Sequence, residues 1–547
     1  MKEVIAKLLS KEVRIPQKKI INLIEIPPDS DFGDFSFPCF LIAKEKGANP
    51  REMADKIAEH IKTPVEISQV QSMNGYVNFF VNKTIFAEKK LQEILKLKKK
   101  AGKEKILIEH TSINPNASPH VGRIRNSIIG DSLKRILEFQ GYKLETHYYV
   151  NDVSKQIAMM TLNCTGKEKF SQLLGKYKQI ANKVSKDKKI EKKVFEVLNK
   201  FEAGDKTIVN KFKRIVDTAV AGQKKILSDF GINFDFFDYE SKFMEQQKNI
   251  LSDLKKTGKL FTDKEGRKVL DQKGMGLEKS MKCPVLVLTR NDGTGLYPLR
   301  DIAYTTEKSK KAKRNIIVLG EDQKLYFRQL ASALKILNKK APEAVHYSFV
   351  LIQKKEGKVK MSTRKGDVVL FEDFFREVHD KAKKEIKKRK TKGDPKKVAI
   401  GAIKYNIIRN SPNRNIVFNI EEALNFEGNT GPYLQYSYAR ASSIIKKAKK
   451  KVGKIKIESL TKLELAFVKK LALFQKVVDS AEQNLNPSLI ANYSFELAKI
   501  FNEFYHACPV IKSMESEKAF RIMLVEAFRK IMKDSLNLLG IEAMEEM

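Results

Sequence analysis

The 547-residue chain reads as an α/β protein: a parallel-sheet domain in the middle, a smaller N-terminal α+β domain before it, and a C-terminal all-α helical bundle after it. Three observations predict this. Short apolar runs alternate with segments of helical period through the middle of the chain; the first hundred residues mix helical and alternating periods; and helical period takes over from about residue 395. The length requires several cores, because a single hydrophobic core stops growing beyond roughly 250 to 300 residues.

In the N-terminal part, Pro50 to Ile61 has helical spacing, Val65 to Val70 and Tyr76 to Val81 alternate like strands, and helical spacing returns before Ile94. The polar, basic run LKLKKKAGKEK, Leu95 to Lys105, contains Gly102 and reads as a connection, which sets a first domain over residues 1–100. Ile106 to Ile108 then form a short apolar strand. A loop with Asn114, Pro115 and Pro119 comes next, then Ile124, Ile128, Leu133, Ile136 and Leu137 at helical spacing, a stop at Gly141, and a second strand from Lys143 to Val150. Further strands are expected in the same parallel sheet at Cys283 to Leu288, Asn315 to Leu319 and His346 to Ile352, and the Lys-rich, mostly helical stretch 165–260 reads as an insertion into a domain spanning 101–394. Residues 395–547 carry helical period almost to the end, as at Leu463, Leu465, Val468, Leu471 and Leu473, with no further strand expected. The Lys runs at 381–392 and 446–455 are expected to be solvated helix faces.

Composition narrows the class. Lys and Arg number 105 against 66 Asp and Glu, a formal charge of +39, which implies a polyanionic partner. A hydrophobic share of 42% with 32 Phe residues excludes a wholly disordered chain despite 31% charged residues. Cys39, Cys164, Cys283 and Cys508 lie far apart without a Cys-x-x-Cys pair or adjacent His, so neither a disulfide framework nor zinc is expected. Charges interrupt the N-terminal apolar residues, and no run of about 18 apolar residues occurs, so a cytoplasmic protein without a membrane span is expected.

Two segments carry chemistry. NPNASPHVGR, Asn114 to Arg123, lies between a strand and a helix start, where unpaired backbone N–H groups and the helix dipole favour phosphate. His120 can donate to a phosphate oxygen, and Gly122 admits a flat base to the backbone. Lys360-Met361-Ser362-Thr363-Arg364-Lys365-Gly366 gathers three cations, two hydroxyls and a glycine, the equipment of a clamp on a triphosphate.

With both segments in this order, the sequence resembles the class I aminoacyl-tRNA synthetases, and specifically the arginyl-tRNA synthetases, over nearly its whole length. The matching motifs are His120 and Gly122 of the family's His-x-Gly-His, Arg125-Asn126-x-x-x-Gly130-Asp131, YYVND (Tyr148 to Asp152), YPLRD (Tyr297 to Asp301), LGEDQ (Leu319 to Gln323), MSTRKG, and GPYLQYSYAR (Gly431 to Arg440). The resemblance implies a Rossmann-like catalytic domain that uses ATP as a substrate with Mg2+, and an arginine pocket lined by Glu109, Asn114, His120, Tyr297, Asp301 and Gln323. Side-chain chemistry suits that set: Asp301 or Glu109 could accept the planar N–H pair of a guanidinium, the Tyr297 hydroxyl could orient it, and the Asn114 and Gln323 amides remain for the α-amino end. His120, Gly122, Arg123, Lys360, Met361, Ser362, Arg364 and Lys365 are the implied catalytic set.

The chain departs from the family pattern twice. Arg123 replaces the second His of the first motif, and the Lys-Met-Ser-Lys-Ser signature lacks its second lysine, whose place as a phosphate ligand falls to Arg364 or Lys365. The N-terminal segment resembles the family's tRNA-contacting domain, with Asn78 and Phe79 as candidate base contacts. The C-terminal helices resemble its anticodon-binding domain, with Tyr433, Tyr436 and Arg440 as candidates. The resemblance implies ATP-dependent ligation of L-arginine to its tRNA through an arginyl-adenylate, in support of translation; the sequence leaves the oligomeric state open, with a monomer favoured. The alternative from another class is a catalytically inactive, synthetase-like tRNA-binding protein, suggested by the two departures. A cysteinyl synthetase is disfavoured by the missing zinc-ligating cysteines.

Overall fold

A computed structural model describes residues 1–354, 357–360, 369–448 and 457–547. The chain forms two compact units, one of Met1–Leu97, Ile444–Leu473 and Ile500–Ile531, the other of Lys98–Ser443, Phe474–Lys499 and Met532–Met547.

In the first unit, a three-stranded antiparallel sheet places Tyr76–Val81 between Phe35–Pro38 and Ile67–Met73. Helices cover it, including Pro50–His60, which starts where Asn49 caps the Arg51 N–H at 2.8 Å and Pro50 occupies the first turn. Ile5, Leu9, Ile20, Phe37, Val77 and Phe79 fill the core between them. Among the C-terminal helices of this unit, Lys462–Ala472 begins with a Thr461/Glu464 capping box. Its Phe467 joins Phe501, Phe504 and Phe528, and the rings of Phe501 and Phe528 stack with centroids 3.9 Å apart.

The second unit is built on a five-stranded parallel sheet in the order Glu343–Tyr347, Arg314–Gly320, Lys105–Glu109, Lys143–Val150, Phe236–Tyr239. Numbered along the chain, this is the 5-4-1-2-3 order of a doubly wound fold, whose ligand crevice opens at the carboxyl ends of the strands where the order reverses. Here that point lies between Lys105–Glu109 and Arg314–Gly320. The connecting helix Val121–Phe139 packs Ile129, Leu133 and Leu137 against the sheet, and its Ile124 and Ile128 are buried as well.

Four expectations are corrected. The 283–288 run yields Val285–Val287, which does not enter the parallel sheet; it pairs antiparallel with Lys268–Asp271 in a separate three-stranded sheet. The 346–352 run is split at Ser348 and Phe349, whose backbones bond Pro412 and Asn415, so that Glu343–Tyr347 joins the parallel sheet while Val350–Lys354 pairs with Ile416–Phe418. That last strand is one the helical reading beyond residue 395 missed, being too short to show a period. The Lys-rich insertion also ends sooner than residue 260: helices occupy Phe170–Lys186, Lys188–Glu202 and Lys206–Asp229, after which Phe236–Tyr239 returns as the sheet's edge strand. A short apolar run states that a strand exists but carries no information about its partner. The Lys run within Phe371–Arg389 is a solvated helix face, with Phe374, Val378, Ala382 and Ile386 inward and Lys383, Lys384, Lys387 and Lys388 exposed. Residues 449–455 of the other Lys run lie outside the described residues.

Candidate active site

Glu109 ends the first strand of the parallel sheet, and the chain then crosses the switch point through His110 to His120. Thr111 takes a φ of 83°, rare for a β-branched residue. It is held there by its N–H to Asn126 Oδ1 at 2.9 Å and its hydroxyl to Ser127 Oγ at 2.8 Å. Asn126 also donates to the Val318 carbonyl at 2.9 Å, so it ties the loop to the strand across the crevice. Its neighbour Arg125 is fully buried and donates to the carbonyls of Ser348 at 2.7 Å and Phe349 at 3.2 Å, with burial lowering its pKa to about 10. Gly130 is required for a steric reason: a Cβ there would overlap the His110 ring. Asp131 accepts from Arg135 Nε at 2.9 Å and faces the buried Lys404 at 3.6 Å. The Arg-Asn-x-x-x-Gly-Asp motif is thus the frame that holds the loop.

His120 is the N-cap of Val121–Phe139, yet its side chain makes no capping bond, and its buried Nδ1 has no hydrogen-bond partner. Burial, reinforced by the Arg123 charge, lowers its pKa to about 4, so the imidazole is neutral at pH 7. Gly122 and Arg123 occupy the first helical turn, both partly exposed. The backbone of His120 bridges Leu370, and the Phe371 N–H donates to the Pro119 carbonyl at 2.9 Å. Met361, Ser362, Arg364 and Lys365 lie outside the described residues, as does the Lys360 side chain, whose backbone ends the strand Gly357–Lys360. The next described stretch of chain, Val369 to Phe371, is nevertheless bonded to the His120 turn.

The expected arginine-pocket residues divide by their partners. Glu109 is buried in an ion pair with Lys308, itself buried, whose ammonium also sits 4.2 Å from the Tyr304 ring centroid. Asp301 instead accepts a hydrogen bond from the Tyr326 hydroxyl at 2.9 Å; burial, opposed by the Lys308 charge, raises its pKa to about 6. Tyr297, 36% exposed, packs its ring 4.5 Å from that of Tyr326. Asn114 is exposed and donates to Gln156 at 3.0 Å, and Gln323, in the turn after Arg314–Gly320, donates to Asp322 at 3.1 Å.

Several groups escaped the sequence reading. Glu240 is buried and paired through Oε1 with Arg300 Nε at 2.6 Å, while its Oε2 has no partner; burial raises its pKa to about 7, and the Asp301 charge adds to the rise. Nothing in the local sequence FFDYES marks it. Gln223 is fully buried and bonds the Asn114 and Ala117 carbonyls at 3.0 and 2.8 Å. It was legible in principle, as a polar residue on the stripe formed by Val216, Ala219, Val220 and Leu227.

The candidate RNA contacts fare unequally. Asn78 and Phe79 are corrected: both are buried, Phe79 in the apolar core and Asn78 as acceptor of the Ser36 hydroxyl at 2.5 Å, so neither presents a face to a base. Tyr433, Tyr436 and Arg440 are partly exposed on Gly431–Ala448, with Arg440 bonded to the Tyr436 hydroxyl at 3.1 Å and stacked 4.8 Å from its ring.

Comparison with known proteins places this architecture. The sequence matches the family described as tRNA synthetases class I (R), catalytic domain, over residues 85–420, the DALR anticodon binding domain over 434–547, and the arginyl tRNA synthetase N terminal domain over 1–81. It is 36% identical to the arginine–tRNA ligase of Methanocaldococcus jannaschii, covering 99% of this chain and 97% of that one. Identity is also 36% to the arginine–tRNA ligase of Archaeoglobus fulgidus, over 93% and 94%. In fold, it superposes on Thermus thermophilus arginyl-tRNA synthetase with a TM-score of 0.79 at 24% identity, covering all of both chains. Against the Plasmodium falciparum enzyme the TM-score is 0.76 at 19% identity, over 100% and 99%. None of these relatives favours the inactive alternative, and the chain belongs to the arginyl-tRNA synthetases of class I, the aminoacyl-tRNA ligases that use arginine.

Proposed function

We propose that the crevice at the switch point activates L-arginine with ATP and that the arginyl group then passes to the terminal ribose of its tRNA. The observation that carries this reading is the buried, unpartnered Nδ1 of His120 at the carboxyl edge of the parallel sheet, in the turn bonded to the chain just beyond the MSTRKG segment. A neutral imidazole with an unused nitrogen offers a hydrogen bond to phosphate without adding charge. Gly122 leaves room for the base, and Arg123 supplies the fixed positive charge.

Arginine enters with its guanidinium on Asp301 and Tyr297. Asp301 is the preferred acceptor because Lys308 already neutralises Glu109; Glu109 then shapes the pocket through that ion pair. Asn114 and Gln323 receive the α-amino end. The arginine carboxylate oxygen attacks the α-phosphorus, a new P–O bond forms, the bond to the bridging oxygen breaks, and pyrophosphate leaves with the electron pair. A ribose hydroxyl then attacks the arginyl carbonyl, loses its proton, and AMP departs. The chain contributes position and fixed charge, with no covalent enzyme intermediate. Lys360, Met361, Ser362 and Arg364 or Lys365 are assigned to the leaving phosphates. Mg2+ bound together with ATP would offset the charge of the phosphates; among the described residues no group of three or more His, Cys, Asp or Glu side chains could hold a metal ion.

In this reading residues 1–100 contact tRNA, 101–394 carry the chemistry and 395–547 read the anticodon, with Tyr433, Tyr436 and Arg440 on the RNA side. The enzyme works in the cytoplasm as a monomer; no described helix is long and apolar enough to cross a membrane. The deciding experiment is ATP-dependent charging of total tRNA with each amino acid in turn. Arginine alone should be incorporated, and absence of charging with any amino acid would reinstate the inactive RNA-binding reading.

A further inference from the structure

Resting on the reading of Asp301 as the guanidinium acceptor, we propose that Tyr326 is a positioning residue for arginine recognition, acting through Asp301 and Tyr297. Tyr326 stands in the first turn of Lys324–Ile336, directly after the Glu321–Gln323 turn at the carboxyl end of a central strand. Its hydroxyl donates to Asp301 Oδ2 at 2.9 Å, and its ring lies 4.5 Å from that of Tyr297 at an interplanar angle of 34°. Asp301 and Tyr297 are one turn apart on Tyr297–Lys311. A single side chain from a neighbouring helix therefore braces both groups that would meet the guanidinium.

The brace matters because recognition of a guanidinium is geometric. Its N–H groups form a rigid planar fork, and two parallel bonds require the carboxylate plane to be set beforehand. An Asp side chain rotates freely about its terminal torsion unless something holds an oxygen. Tyr326 does this without charge, so it leaves the carboxylate's negative charge for the substrate.

The same bond acts on ionisation. Asp301 is faced by Lys308, Thr305 and Tyr297 from its own helix, by Glu109 and Tyr149 from the sheet, by Glu240, and by Tyr326. Burial and the nearby carboxylates push its pKa up; the Lys308 charge and the Tyr326 and Thr305 bonds pull it down. Loss of the Tyr326 hydroxyl removes one group that favours the ionised form, so the carboxyl would titrate at still higher pH.

The test is Tyr326→Phe in the full chain, which keeps the ring against Tyr297 and deletes only the hydroxyl. Aminoacylation is measured with arginine varied at saturating ATP and tRNA, over a pH range on both sides of 6. The KM for arginine should rise about tenfold or more, as for loss of a hydrogen bond to a charged group. The KM for ATP should hold, and the acid limb of kcat/KM for arginine should move to higher pH. Tyr326→Phe in an Asp301→Asn background should change arginine use by no more than about twofold, because the two changes remove one interaction. A folded Tyr326→Phe enzyme with parental arginine KM and acid limb, or with equal losses for arginine and ATP at every pH, would overturn the positioning role. If Asp301→Asn itself leaves arginine use intact, the Asp301 assignment fails first. If Asp301→Asn impairs arginine use and Tyr326→Phe does not, only the inference about Tyr326 fails.

Discussion

The Tyr148 hydroxyl donates to Gln223 Oε1 at 2.8 Å, joining a strand of the parallel sheet to the last helix of the Lys-rich insertion. The other end of the Gln223 amide donates to the carbonyls of Asn114 and Ala117, and Tyr148 accepts the Ile113 N–H at 3.2 Å. One buried amide therefore satisfies two backbone acceptors of the loop that leads to His120. The insertion is consequently part of the site's scaffold, whatever else its lysines do.

Replacing Gln223 by Leu keeps similar bulk but leaves the Asn114 and Ala117 carbonyls without their amide donor and Tyr148 without its shorter acceptor. We expect a loss of about 1 to 3 kcal/mol of stability, the cost of unsatisfied buried polar groups. Because the proposed ATP and arginine sites share this loop, KM should rise for both substrates together. Denaturant unfolding and steady-state kinetics measure both; parental values in the two assays would mean that the Gln223 bonds are dispensable.

Gly130 sits inside the helix Val121–Phe139, where alanine would ordinarily stabilise by up to about 1 kcal/mol. The His110 ring reverses that sign, since it occupies the space a Cβ would need. We expect Gly130→Ala to destabilise by about 1 to 3 kcal/mol, as overpacking of a filled core does. In a His110→Ala background the same change should cost much less. An undiminished cost in the double variant would place the clash elsewhere.

The pocket's acid dependence has a definite sign. Asp301 must be ionised to hold a guanidinium, and burial raises its pKa above the usual carboxylate range to about 6. The ionised fraction is thus present at neutral pH and lost as pH falls through that value, so kcat/KM for arginine should drop below about pH 6. His120, held near 4, stays neutral throughout and should contribute no limb there. An arginine profile flat from neutral pH down to about 5 would remove Asp301 from substrate recognition.

Periodicity and motif order account for the parts of the fold that were legible in the sequence. The strand at Ile106, the helix from Ile124 to Leu137 and the strand from Lys143 could be read from an uninterrupted apolar run, apolar residues at helical spacing and the stop at Gly141, and the two strands pair in parallel. Sheet order could not be read, because Val285–Val287 and Ile316–Val318 look alike as apolar runs and differ only in their partners. Asn78 and Phe79 misled because residues suited to stacking on RNA are equally suited to a core, and the strand buries Val77, Asn78 and Phe79 in succession. Gln223 lay on an otherwise apolar helix face, a pattern that signals a buried polar role without naming the partner. Glu240 and Tyr326 carried no local signal, because their environments are assembled from segments distant in the chain.

The net charge of +39 exceeds what one ATP could use, since only a few cations can reach its phosphates. Part of the excess lies on the helical insertion, where Lys183, Lys186, Lys188, Lys189, Lys192 and Lys193 are all exposed around the turn between two helices. A polyanion bound to such lysines releases condensed counterions, so the logarithm of tRNA affinity should fall linearly with the logarithm of salt, with a slope of roughly 0.7 to 0.9 per phosphate contact. Substituting Lys188, Lys189, Lys192 and Lys193 by Gln should flatten that slope by about 3 if these residues meet the RNA backbone, while the KM values for arginine and ATP stay unchanged. Filter binding of tRNA over a salt series, for the parent and this variant, measures the difference. A parental slope that is itself flat would detach the chain's charge from RNA binding. An unchanged slope in the variant would assign the contacts to the other basic surfaces of the molecule.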